Sequence, residues 1–176
     1  MTELRPDRVR FCPLCGQQLV RQPVPPENRE HPVCSGCRFV FYLAPKVVAC
    51  TLPIRDGRVL LTRRAIEPSK GLRTFPGGYV DWGEDVREGA QRETLEEVGL
   101  AVRSDELLGL YSYRGSPVVV AVFLAAVPDG AEPVLCATEV LEAAYFGPAE
   151  IPWQSLAFPS TRDALQDWAG RLGRSV

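Results

Sequence analysis

Residues 77–100 read GGYVDWGEDVREGAQRETLEEVGL, and no other stretch limits the fold as strongly. Gly99 stands where a helix C-terminus is expected, and the residues before it predict a helix over roughly 84–98. On that helix Glu93 lies i,i+3 from Glu96 and i,i+4 from Glu97, so three carboxylates fall in one narrow arc. Like charges at those spacings cost about 0.2–0.5 kcal/mol per pair. Ala90, Thr94, Leu95 and Val98 occupy the other side and are expected to face the core. A solvated acidic face is the ordinary reading of a lone E-x-x-E-E. Hard oxygen ligands grouped on a rigid element are also what Mg2+ or Mn2+ coordination requires.

Four of the six cysteines form two pairs, Cys12 and Cys15 in CPLC and Cys34 and Cys37 in CSGC. A C-x2-C turn lets two thiolates grip one ion, and two such turns complete a tetrahedral site. The eighteen residues between the pairs match a structural zinc ribbon. Gly16 and Gly36 suit the tight turns of such knuckles. Free thiols or a redox-active C-x-x-C are the alternative, and two pairs in one short segment count against it. The intervening RQPVPPENREHPV is too polar and proline-rich to form a core alone, so Zn2+ is expected to supply folding energy. Four sulfurs fill the coordination sphere and make the metal structural. His31 is then left as a solvated loop histidine, and Cys50 and Cys136 as small buried apolar residues.

Composition changes at Pro45, which suggests a ribbon over 1–44 and a second domain over 45–176. KVVACTLPIR and RVLLTRR are strand-like and joined by Asp56-Gly57, a hairpin signal. ELLGLYSYR and PVVVAVFLAAV form another expected pair around Gly115, and VLEAAYF a further strand. The tail predicts a helix capped by Ser160, with Leu165, Trp168 and Leu172 on one face. Strands on either side of a central helix, with a second helix at the end, indicate an α/β sandwich. The apolar run 118–127 is too short to span a bilayer and reads as a buried strand. The first residues carry no apolar signal region, so a cytoplasmic protein with reduced thiols is expected. A net charge of −2 offers no global attraction for nucleic acid or acidic membranes.

Taken together, G-x5-E-x7-R-E-T-x-E-E-x-G-L from Gly78 to Leu100 resembles the signature of the Nudix hydrolases. Only Thr94, where an aliphatic residue is commoner, departs from it. The resemblance implies a Nudix α/β/α sandwich and Mg2+- or Mn2+-dependent cleavage of phosphoanhydrides in nucleoside diphosphates linked to a group X. It implies that Glu93, Glu96 and Glu97 bind metal, with the Gly77 carbonyl as a further ligand. Arg92 would hold a glutamate in place, and Glu84 would be the outer acid. TEVLEAAYF resembles the segment where related enzymes place another acid before an aromatic strand. Glu139 is the candidate there and Glu142 the second, either as metal ligand or as general base. Family members differ in which glutamate is the base.

The ribbon, APKVV, RRAIEPSKGL, FPGGYVDWGE, RETLEEVGL and EIPWQSLAFPSTRDAL together resemble a zinc-ribbon Nudix subgroup. That subgroup includes plant chloroplast FAD diphosphatases and bacterial ADP-ribose pyrophosphatase-like proteins, which implies FAD or ADP-ribose as substrate and AMP as product. Arg73 stands where the subgroup often has Trp, so cation–π or phosphate contact would replace ring stacking. An NADH pyrophosphatase is the alternative; its compact Ser-Gln-Pro-Trp-Pro-Phe-Pro-x-Ser motif is interrupted and far downstream here. A nucleic-acid-binding regulator is a third reading, disfavoured by the acidic balance. Arg64 and Arg73, with Arg63 and Lys70 nearby, are the candidate phosphate contacts. Tyr79, Trp82, Tyr111 and Tyr113 could stack on adenine or flavin, although core packing is the commoner use of such rings. The expected partner is a small dinucleotide-like molecule, with a homodimer as the assembly considered and neither membrane nor nucleic acid engaged.

Overall fold

The computed structural model describes residues 8–172. The chain divides into two compact units between Ala44 and Pro45. In the first, β1 (Leu19–Val24) and β2 (Arg29–Cys34) form an antiparallel hairpin running from Leu19↔Cys34 to Val24↔Arg29. The proline-rich stretch between the cysteine pairs is therefore ordered by backbone pairing. Its apolar contribution is small: Leu19 joins Cys12 and Cys34, with Val9, Phe39 and Phe41 packed against them. His31 lies within β2 and not in a loop, with its ring tilted against Tyr42 at 4.8 Å between centroids.

The second unit contains β3 (Lys46–Arg55), β4 (Arg58–Arg64), β5 (Arg73–Thr74), β6 (Gly77–Tyr79), α1 (Val86–Val98), β7 (Arg103–Ser112), β8 (Val118–Ala126), β9 (Val140–Phe146) and α2 (Pro159–Leu172). Asp56 and Gly57 both take positive φ, 51° and 69°, as a tight hairpin turn demands. The β3–β4 hairpin pairs only beside that turn, at Ile54↔Val59 and Arg55↔Arg58, and then splays. Beyond the splay β3 pairs with β6, while β4 carries β5 on one edge and β9 on the other. The other edge of β3 takes β8 in parallel from Lys46↔Val118 to Ile54↔Ala126, and β7 closes the order antiparallel to β8.

Both faces of this sheet are covered, so β3 and β8 read as nearly continuous apolar runs. Cys50, Leu52, Val120 and Val122 pack with Ala164, Leu165 and Trp168 of α2. Ala49, Ala121 and Phe123 pack with Ala90 of α1, and Leu60 with Val98 and Leu100. The result is an α/β/α sandwich. No described helix is long and apolar enough to cross a membrane.

Several local expectations are corrected. Helix α1 starts at Val86, because the Asp85 carboxylate accepts the amides of Arg87 and Glu88 and caps it. Leu95 is 51% exposed, since the i,i+4 rhythm gives the core stripe to Ala90, Thr94 and Val98. Ser160 lies inside α2 and not before it, and Leu172 at the helix end is exposed. Cys136 is only half-buried, in the connection that precedes β9.

Candidate active site

The glycines that open the acidic segment make room for it. A Cβ on Gly78 would overlap the Glu93 carboxylate, and one on Gly77 would overlap Cys50 and the Ala49 carbonyl. β6 can therefore lie between β3 and the acidic face of α1 only while it lacks side chains there. Glu84, Glu93 and Glu96 then share one charged hub, Arg92. Arg92 grips Glu84 with a fork, Nε to Oε1 at 2.7 Å and Nη2 to Oε2 at 3.0 Å. Its Nη1 donates to Glu93 at 2.9 Å and to Glu96 at 3.1 Å, and its Nη2 to the Tyr79 carbonyl at 3.2 Å. One guanidinium thus ties the loop after β6 to two acids of the helix.

The electrostatics divide the acids. The Arg92 fork, helped by the Asp81 amide, holds Glu84 down at about 2, so it stays ionised. Burial pushes Glu93 up in spite of Arg92. Burial, then the charges of Glu93 and Glu139, push Glu97 up to about 8, against the pull of the Gly77 backbone and Arg64. Glu97 therefore keeps a proton near neutrality in the absence of a cation. A hard-oxygen donor set whose ionisation is held back by burial and like charge fits a divalent ion such as Mg2+ or Mn2+, which would favour the ionised form. The acids are spread, however: among the described residues, only the four ribbon sulfurs have ligand atoms all within 4.8 Å of one another.

Those sulfurs fit zinc. Cys12 and Cys37 are 3.7 Å apart and Cys15 and Cys34 3.4 Å, near the roughly 3.8 Å edge of a tetrahedron with ~2.3 Å Zn–S bonds. The amide of Leu14 donates to Cys12 Sγ and that of Cys37 to Cys34 Sγ, each at 3.4 Å. The Cys37 amide draws the Cys34 thiol down, towards the thiolate a metal needs, while against the pull of the Phe39 backbone the neighbouring Cys15 and Cys34 sulfurs push the Cys37 thiol up. Gly16 takes the left-handed conformation after the first pair, but Arg38, not Gly36, takes it after the second.

The structure separates the two downstream acids. Glu142 is bonded by Arg73 Nη2 at 2.6 Å and faces Arg63 Nε at 3.3 Å, and the Arg73 contact lowers its pKa. Glu139 stands with the acids, because its charge acts on both Glu93 and Glu97. Arg73 is largely buried, with its guanidinium 5.1 Å from the Phe146 ring and Nη1 without a partner. Arg64 donates Nε to the Pro68 carbonyl at 2.8 Å and lies over the Phe158 ring at 5.2 Å. Tyr79 is half exposed beneath Lys46 Nζ at 4.8 Å, and Trp82 is wholly exposed. Tyr111 and Tyr113 donate their hydroxyls to Asp167 and Asp163 of α2, which directs them away from the acids of α1. Thr94 meets a partner that sequence reasoning missed: its hydroxyl donates to the Ala90 carbonyl at 2.8 Å and lies 2.6 Å from that of Thr51. A hydroxyl within the apolar run of β3 was the available signal.

Comparison with known proteins agrees with this architecture. Residues 44–168 match the family described as NUDIX domain, and residues 10–43 the zinc-ribbon family described as Nudix N-terminal. A NUDIX hydrolase from Nitrosomonas europaea superposes with a TM-score of 0.85 at 33% identity, over 94% of this chain and 93% of that one. An ADP-ribose pyrophosphatase of Methanocaldococcus jannaschii is 40% identical over 75 residues, 43% of this chain and 44% of its own. The NAD-capped RNA hydrolase NudC of Salmonella heidelberg is 28% identical over 145 residues, 81% of this chain and 53% of its own. The chain thus spans about half the length of the curated relatives it matches. The family match extends over the whole sheet and α1, and the full-length structural likeness includes the ribbon; the chain belongs to the Nudix hydrolases.

Proposed function

We propose that the protein hydrolyses the diphosphate bridge of an adenosine diphosphate linked to a bulky group, FAD or ADP-ribose, and releases AMP. The observation that carries this reading is the acid group of Glu93, Glu96, Glu97 and Glu139, with Glu97 held up at about 8 by burial and its neighbours. Glu93, Glu96 and Glu97 would hold Mg2+ or Mn2+ with the Gly77 carbonyl. When bound, such ions supply charge neutralisation at the diphosphate and acidify water. Arg92 keeps Glu93 and Glu96 oriented through its two Nη1 contacts. Water attacks phosphorus, Glu139 takes its proton, the bridging P–O bond breaks, and AMP leaves with the phosphate of X as the second product. Cys12, Cys15, Cys34 and Cys37 would hold a Zn2+ that shapes the ribbon and takes no part in the reaction.

Similarity to the NudC hydrolase favours a second reading, in which the substrate is NADH or an NAD-linked end. The interrupted IPWQSLAFPS segment counts against it. A panel of FAD, ADP-ribose, NADH and diadenosine polyphosphates, each with Mg2+ or Mn2+, decides between them. Fastest turnover is expected for FAD or ADP-ribose with AMP among the products. Fastest turnover of NADH would overturn the substrate assignment.

A further inference from the structure

We propose that residues 156–158 form a brace that presents the Arg64 guanidinium, stacked on Phe158, to a phosphate of the substrate. This deepens the diphosphatase reading and rests on it. The basic residues near the acids are not equivalent. Arg63 and Arg73 face Glu142, and Arg92 is spent on Glu84, Glu93 and Glu96. Arg64 differs from all three in having no carboxylate partner among the described residues. Its Nε is occupied by the Pro68 carbonyl, while neither terminal nitrogen has a hydrogen-bond partner among the described residues. The charge of Arg64 reaches Glu97, and the next residue, Ala65, donates its amide to the Glu139 carbonyl at 2.8 Å.

The stacking ring is itself held in place. Leu156 bridges Arg73 in parallel, and the Ala157 amide donates to the Arg73 carbonyl at 2.7 Å. The Ala157 carbonyl accepts Ser69 Oγ at 3.3 Å, and Thr161 pairs with Thr74 at 3.0 Å. The bridge and two side-chain contacts therefore couple the start of α2 and the segment before it to the loop and strand that follow Arg64. A guanidinium held at Nε and over one ring face has less rotamer freedom left to lose when a ligand binds. Its two terminal N–H groups remain as a fork matched to a phosphate. Phe158 is on this account a positioning residue acting through Arg64.

The test is calorimetric binding of α,β-methylene-ADP with Mg2+, a probe that cannot be split at its bridge. Arg64→Ala should weaken binding about tenfold or more, with Arg64→Lys recovering only part. Phe158→Leu keeps apolar volume but removes the ring and should weaken binding about fivefold, whereas Phe158→Tyr should bind nearly as wild type. The double variant Arg64→Ala/Phe158→Leu should bind no more weakly than Arg64→Ala alone, which a merely structural Phe158 would not produce. In turnover the loss should fall on KM more than on kcat. Unchanged binding in Arg64→Ala, additive losses in the double variant, or no binding by the wild type would each overturn the proposal. Binding that follows the expected pattern without hydrolysis of any diphosphate in the panel would overturn the diphosphatase reading and leave the receptor standing.

Discussion

At Thr94 the helix carries a buried hydroxyl where the Nudix pattern commonly has an aliphatic side chain, and the cost is met locally by Thr51 and the Ala90 carbonyl. Thr94→Val should destabilise the protein by about 1–3 kcal/mol by leaving Thr51 unsatisfied, while Thr51→Val/Thr94→Val should return close to wild type. Urea midpoints of the four proteins measure that cycle. Glu97 makes the second residue-scale prediction. Its ordinary value is 4.5 and its folded value about 8, so between those pH values the folded protein without a divalent cation holds a proton that the unfolded chain has released. Stability from this group is fully present below about pH 4.5 and is lost as pH rises through about 8. Dialysed wild type should therefore lose melting temperature between pH 6 and 9 more steeply than Glu97→Gln. Added Mg2+ should stabilise wild type more at pH 9 than at pH 6. Glu96→Gln and Glu97→Gln should each lose most hydrolysis while remaining folded; near-wild-type turnover at limiting Mg2+ would remove them from the site.

Helix α1 is set by ordinary helix chemistry at both ends: the Asp85 cap opens it, and Gly99 at φ 66° closes it. Its interior glycine is the exception. Replacing an interior glycine with alanine usually stabilises a helix by about 1 kcal/mol. A Cβ at Gly89, however, would stand 2.8 Å from Glu84 Oε2, the oxygen bonded by Arg92 Nη2 and by the Asp81 amide. Gly89→Ala should consequently give no gain in melting temperature and should raise the Mg2+ concentration needed for half-maximal rate, as Arg92 loses its fork. A clear gain in stability with an unchanged Mg2+ requirement would show that Glu84 yields without consequence. Elsewhere the elements answer to the sheet. The β3–β4 hairpin has a standard tight turn, yet its strands separate because β6 and β5 take the edges they vacate.

For the whole molecule, the two units are stabilised by different means. Among the described residues, the sandwich buries thirteen in its larger cluster alone, while the ribbon's own cluster buries only Cys12, Leu19 and Cys34. So small a core cannot offset chain entropy, and metal binding should carry much of the ribbon's folding. The purified protein should contain a single zinc per chain, lost in Cys34→Ser. Stripping it should unfold the ribbon while the sandwich keeps its own melting transition and its Mg2+-dependent hydrolysis. Full zinc content in Cys34→Ser would contradict a four-cysteine site.

What could be read from the chain alone was whatever depends on neighbours in sequence. Two C-x2-C pairs bring thiols together by their own turns, three glutamates share an arc by helical period, and Asp56-Gly57 makes its turn with no help from the rest of the fold. Apolar runs announced the strands because a sheet covered on both faces demands them. The allocation of side chains between distant elements was decided only in three dimensions. Glu139 and Glu142 are three residues apart, yet strand register gives Glu142 to the arginines of β4 and β5 and leaves Glu139 to the acids of α1. Tyr111 and Tyr113 are ordinary aromatics in sequence, and Asp163 and Asp167 of α2 claim their hydroxyls. Arg63 and Arg64 are adjacent, and strand alternation separates the one that faces Glu142 from the one that lies over Phe158. Periodicity assigns a residue to a face; its partner there depends on which strand or helix arrives opposite, and that is a property of the packed chain.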